Sequence, residues 1–184
     1  MENAEDFGFI TGQKVNLVPL NSNHVDLYFK WNNDSRVRKY LGNVIPIPLE
    51  EIKKSIGSPK TNYVGFEVWH KADKKPIGYV HVDGINWMRR KASIGALIGE
   101  VEYWGKGLAT EVTKLIVDYC FGELNLNKIA SLIYEPNKAS QKCVERVGFT
   151  LEATIGDAGY SDGVYFPDLY YSYYRKDWDL KNQK

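Results

Sequence analysis

Near the middle of the chain the apolar residues change period, and any fold must accommodate that change. Three segments, "NYVGFEVWH", "KPIGYVHVDGINW" and "KASIGALIG", follow one another with turn signals at Ala72 to Lys75 and Met88 to Lys91, and read as an antiparallel meander. After Gly107 the apolar positions fall at Leu108, Val112, Leu115, Ile116 and Tyr119, which gives a helix of three turns with one buried face. Between the two regimes lies "EVEYWGKGLATE", with Gly105 and Gly107 directly ahead of the helix. Glycine there costs conformational entropy on folding, so the position implies a need for bare backbone. The first turn of such a helix has unpaired N–H groups and a partial positive charge, and can hold a phosphate through main chain alone.

The flanking segments complete the outline. "KVNLVPL" alternates as a first strand, and "SNHVDLYFKWNND" reads as a short helix with Ser22 as its cap and Val25, Leu27, Tyr28 and Trp31 as its apolar stripe. A second short helix is expected over Leu49 to Ile56. After the long helix come a buried strand, Lys128 to Tyr134, then a helix in "NKASQKCVERVG" closed by Gly148. "FTLEATI" and the aromatic-rich "YFPDLYYSYYRKDW" are expected to close the chain as strands. Alternating strands and helices in the second half imply right-handed crossovers and some parallel pairing. The expectation is one α/β domain over residues 1–184: a mixed, mostly antiparallel twisted sheet of about seven strands with helices on both faces.

Composition excludes several classes. Twenty-four Lys and Arg against 23 Asp and Glu leave a net charge of +1, without the basic surplus of a nucleic-acid binder. Cys120 and Cys143 have no C-x-x-C partner and read as buried free thiols of a reducing compartment. The opening "MENAEDFGF" has no long apolar run, so neither a secretory signal nor a membrane span is expected and cytoplasm is the default. His24, His70 and His81 lack metal-ligand spacing, and no metal is expected.

A glycine turn before a helix is common, and two better-known phosphate loops fail here. No G-x-x-x-x-G-K-[ST] run exists, and Thr110 stands where a dinucleotide loop needs its third glycine or alanine. Taken together, however, "IGALIGEVEYWGKGLATE" and "NKIASLIYEPNKASQKCVERVGF" resemble the GNAT superfamily of acyl-CoA-dependent N-acyltransferases. "WNNDSRVRKYL" and "DLYYSYYRKDW" are similar to stretches of its RimJ/RimL-type branch, the ribosomal-protein N-terminal acetyltransferases.

The resemblance implies a sheet splayed around acetyl-CoA as co-substrate. The loop Trp104, Gly105, Lys106 and Gly107, with Leu108, Ala109 and Thr110, would cradle the diphosphate. Leu97, Ile98 and Gly99 would pair with the pantetheine arm as with an added strand, and an N–H near Leu97 or Ile98 would meet the oxyanion. Glu102 stands where the family pattern has Arg or Gln, and is expected to point outward. Asn137 reads from sequence as a helix cap with Ser140 in the first turn; the resemblance adds a bond from Asn137 to the pantetheine. Many relatives carry a tyrosine seven positions after this asparagine as general acid. Val144 stands there, and the branch implies Ser140 in that role.

The acceptor would be a primary amine, with a protein N-terminal α-amine favoured and a polyamine, amino sugar or aminoglycoside as the alternative. An α-amine of pKa about 8 is roughly 10% neutral at pH 7, whereas a lysine-like amine of about 10.4 is neutral to a few parts in ten thousand. No clean base offers itself. Ser93 occupies the place where relatives have a glutamate; Glu100, Glu135 and Asp157 remain as candidates for the base, each also readable as a solvated loop carboxylate. Trp31, Tyr40 and some of Tyr165, Tyr170, Tyr171, Tyr173 and Tyr174 are candidates to line the acceptor side. A homodimer is compatible with the sequence. The rivals are an acyl-CoA-binding module without turnover and a non-CoA nucleotide enzyme.

Overall fold

The meander and the helical half are joined by one parallel strand pair, and that junction organises the molecule. The computed structural model describes residues 8–42, 44–57 and 61–182. Its strands are β1 (Ile10–Thr11), β2 (Val15–Pro19), β3 (Val64–His70), β4 (Lys75–Asn86), β5 (Lys91–Ile98), β6 (Lys128–Tyr134), β7 (Thr150–Ser161) and β8 (Val164–Tyr174). They form one sheet in the order β1-β2-β3-β4-β5-β6-β8-β7. Every neighbouring pair is antiparallel except β5 and β6. The sheet therefore has eight described strands, in line with the expected mixed sheet of about seven. The addition is the two-residue β1, too short to leave a periodic signal.

The helices are α1 (Val25–Asn33), α2 (Ser35–Arg38), α3 (Leu49–Gly57), α4 (Leu108–Gly122), α5 (Lys138–Val147) and α6 (Arg175–Asn182). On one face of the sheet α4 buries Leu108, Val112, Ile116, Val117, Cys120 and Phe121 against Val15, Val68, Val80, Val82 and Ile94. On the other, Tyr28 and Trp31 of α1, Val37 of α2 and Ile52 of α3 close over Leu97. Helices thus cover both faces, as expected.

Three local expectations are corrected. The first helix is entered through a 3-10 turn at Ser22–His24 whose cap is Asn21: its side chain accepts the Asn23 N–H at 2.9 Å. Ser22 is inside that turn and does not cap it. The last strand stops at Tyr174, and "RKDW" begins α6. Arg175 turns the chain there by donating to the carbonyls of Leu126, at 2.9 Å, and Phe121, while the Trp178 indole donates to Asp118 at 2.7 Å. These long-range contacts outweigh the β-propensity of the preceding tyrosines. Finally, Cys120 is a buried free thiol, but Cys143 is only half-buried; the Thr110 and Thr113 hydroxyls lie 3.6 Å from its sulfur, tying α5 to α4.

Candidate active site

β5 and β6 pair only at Lys91–Lys128, Ala92–Ile129 and Ser93–Ala130. Beyond Ser93 β5 keeps its ladder with β4 up to Ile98, while β6 pairs only with β8 up to Tyr134. The two strands form the prongs of a fork that opens toward their C-terminal ends. Ligands in open α/β sheets sit in such crevices beyond the carboxyl ends of strands.

The β5 prong is anchored through its β4 side. The Gly99 N–H donates to the Ile77 carbonyl at 2.8 Å. The Leu97 carbonyl also faces β4, so close that a Cβ on Gly78 would lie 1.9 Å from it. The alternation of an antiparallel ladder then turns the N–H and C=O of Ile98 to the opposite edge, into the gap. Consistent with this, the Ile98 carbonyl accepts the Trp104 indole N–H at 2.7 Å. Of Leu97, Ile98 and Gly99, only Ile98 presents its main chain to the fork.

At the mouth of this prong the chain makes a 3-10 turn, Val101–Tyr103, and then bends through Gly105 (φ 73°) and Gly107 (φ 79°) into α4. Both angles lie where an L side chain is strained. A Cβ at either position would meet nothing within 4 Å, so the space over the turn is open. The N–H groups of residues 105–109 make no hydrogen bond among the described residues; the helix ladder starts with the Thr110 and Glu111 N–H groups on the Gly107 carbonyl. Five consecutive bare amides stand at the positive end of a fifteen-residue helix, an arrangement that can hold an anion. Glu102 points away from it, exposed and 3.7 Å from Lys75, as expected of a carboxylate that would repel phosphate. Lys106 folds over the Tyr103 ring, 4.8 Å from its centroid. Beside Gly107 and Thr110 opens a groove of about 880 Å3, whose walls include Lys114, Arg146 and Trp178.

The β6 prong ends in the α5 N-terminus. Asn137 caps α5, its Oδ1 accepting the Ser140 N–H at 3.1 Å, and Ser140 is half-buried in the first turn.

On the face opposite α4, residues 40–42 cross the mouth. The Tyr40 ring meets Trp104 edge-on at 6.2 Å, and Gly42 packs against the Tyr134 hydroxyl, where no Cβ would fit. Tyr40 thus joins the fork, while Trp31 is fully buried beneath Gly99. Opposite Tyr134 on β8 lies Asp168, whose Oδ1 is buried with no hydrogen-bond partner among the described residues. Burial raises the Tyr134 pKa, and the neighbouring Asp168 carboxylate raises it further. Sequence reasoning missed Asp168; the signal available was one carboxylate within the aromatic run "YFPDLYY". Of the tyrosines on this strand, Tyr171 and Tyr173 are buried in the core on the α4 face and do not line the mouth.

Two of the three carboxylates considered as bases are already paired, and the third is exposed. Glu100 accepts from Lys30 at 2.8 Å and from the Trp31 indole at 2.8 Å. Partial burial raises its pKa, and these bonds more than offset that, leaving it lowered. Glu100 is a clamp that fixes α1 over the fork. Glu135 pairs with Lys138, and Asp157 is exposed in the β7 bulge with φ 52°. Among the described residues no group of three or more His, Cys, Asp or Glu gathers to hold a metal. No described helix is long and apolar enough to cross a membrane.

With this geometry in place, the model of the acetyltransferase (GNAT) domain matches residues 14–150. The chain belongs to that family. The match takes in both prongs, the glycine turn, Asn137 and Ser140. Among curated family members, the protein named "Putative ribosomal N-acetyltransferase YdaF" from Bacillus subtilis is 31% identical over 115 residues, 62% of each chain. Spermidine N(1)-acetyltransferase of Escherichia coli K12 is 33% identical over 95 residues, 52% of this chain and 50% of that one. The matches thus span 62% and 50% of these two relatives' lengths. The spermidine N-acetyltransferase of Vibrio cholerae, solved with CoA and spermine, superposes with a TM-score of 0.83 at 23% identity, over 90% of this chain and 98% of that one. At that identity the likeness is one of fold.

Proposed function

We propose that the protein transfers an acetyl group from acetyl-CoA to a primary amine by direct attack of the amine on the thioester, with a protein N-terminal α-amine as the favoured acceptor. The observation that carries this reading is the fork with five bare amides at its mouth. Acetyl-CoA fits the residues present. The cradle of 105–109 takes the diphosphate, and the groove beside Gly107 and Thr110 has room for the nucleotide end. The edge of β5 at Ile98 offers main chain to the pantetheine and an N–H to the developing oxyanion. Bound acetyl-CoA supplies an activated acyl carbon. The chain's task is to place the amine beside it, free the amine's lone pair and protonate the leaving thiolate. Ser140 is the proton donor in this scheme, and Asn137 fixes the turn that carries it.

Asp168 supports a cationic acceptor, since an ammonium would satisfy its orphaned oxygen. The same feature admits a second reading, a polyamine acceptor, which the spermidine acetyltransferase relatives also favour. The lower pKa of an α-amine favours the first. An acceptor screen measuring thiol release with N-terminal peptides, polyamines and amino sugars decides between them. Tight CoA binding with no thiol release for any amine would establish the binding module instead.

A further inference from the structure

We propose that His81 is the general base that takes the proton from the acceptor ammonium; this rests on the acetyl-transfer reading above. His81 lies on β4 directly opposite Gly95 of β5. Its ring covers Gly95 so closely that a Cβ there would sit 2.6 Å from the imidazole Cε1 and 2.7 Å from Nε2. Gly95 is two residues past the last β5–β6 pair, so the imidazole stands at the crotch of the fork. By strand alternation His81 shares its face with Tyr79, which packs in the α1–α3 cluster, whereas Val80 and Val82 face α4. The ring is therefore on the α1–α3 side of the sheet, the side on which Gly42 packs against Tyr134, across from the α4 packing.

The surroundings hold the ring without occupying its nitrogens. Tyr63 stacks on it at 5.8 Å with the planes 16° apart, and Tyr79 lies 6.2 Å away. Neither ring nitrogen has a hydrogen-bond partner among the described residues, and the residue remains partly accessible. By contrast, His24 is 2.9 Å from the buried Glu67, and His70 is 3.0 Å from Asp73. The titratable groups around His81 are Asp83 and Tyr79 on β4 and Tyr63 ahead of β3; Glu67 on β3 faces Tyr28 and His24. Burial lowers the His81 pKa below 6.5, with Asp83 pulling the other way, so the imidazole is neutral at pH 7 and ready to accept.

A ring nitrogen of His81 takes one proton from R–NH3+. The freed lone pair forms the C–N bond to the thioester carbonyl, and the C–S bond breaks with its electron pair on sulfur. The second nitrogen proton ends on the thiol through Ser140, and the imidazolium returns its proton to water. The net products are the amide, CoA thiol and one proton. Moving a proton to so weak a base is roughly two decades less uphill from an α-amine of pKa about 8 than from an alkylamine of about 10.4. His81 thus also favours the N-terminal acceptor.

The test is the pH profile of kcat/KM for thiol release with a peptide N-terminus, in the unmutated protein and in His81→Gln and His81→Ala. The expected result is a loss of about 10²-fold at pH 7, with CoA affinity unchanged by calorimetry. The deficit should shrink toward parity as pH rises past the acceptor's own pKa, and added imidazole should restore turnover in His81→Ala. An unchanged kcat/KM at pH 7, or a deficit of equal size at every pH, overturns the assignment. Absence of thiol release in the unmutated protein sinks the acetyl-transfer reading itself, and the base with it.

Discussion

The two helices that begin at the mouth of the fork are started in opposite ways. α5 is capped by its own side chain: Asn137 accepts the Ser140 N–H, and the turn is closed whether or not a ligand is present. α4 begins at Gly107 with no side-chain cap, and the amides ahead of it stay bare. A side-chain cap is worth about 1 kcal/mol over alanine, so α4 leaves a common stabilising device unused where a ligand could supply it. The contrast teaches that one terminus leaves its amides open to a ligand, while the other closes its first turn with a side chain of its own.

The strongest way to break the comparison is Gly107→Val. Valine at this φ costs about 1–2 kcal/mol, while its Cβ would meet no protein atom within 4 Å. A folded variant with CoA affinity reduced at least about 100-fold, or 2.7 kcal/mol by calorimetry, assigns the open space to the ligand; wild-type affinity would remove the cradle. Next, Ser140→Ala is expected to lower kcat about 10²-fold with CoA affinity almost kept, and unchanged turnover would refute the acid role. Asn137→Ala should cost about 1 kcal/mol, seen as a melting temperature lower by about 2–4 °C; no shift would mean that the cap does not hold the turn. The smallest effect belongs to Glu102→Ala. Its exposed pair with Lys75 is worth about 0–1 kcal/mol, and CoA affinity should change by less than about twofold. A large gain would show that the carboxylate does oppose the phosphates.

The same contrast explains what could be read from the letters. Gly107 and Asn137 were legible because each acts locally: one supplies a positive φ, the other an oxygen within reach of an amide three residues on. The period change placed β3 to β5 and α4 for the same reason. The fork was not legible without the family resemblance, because two strands diverge there and no residue marks the point of parting. His81 was invisible as a site because its meaning lies in Gly95, fourteen residues away and across a ladder. Asp168 needed Tyr134 beside it on β6, and α6 needed Phe121 and Leu126 as acceptors for Arg175. Each of these depends on a neighbour distant in sequence.

One consequence follows from the loop at residues 40–42, which touches Trp104 on one prong and Tyr134 on the other. A clasp anchored at both jaws cannot shift without disturbing the two indole and phenol rings it rests on. Any ligand that displaces this loop on binding would move Tyr40 off the indole, and the intrinsic fluorescence of Trp104 would report it.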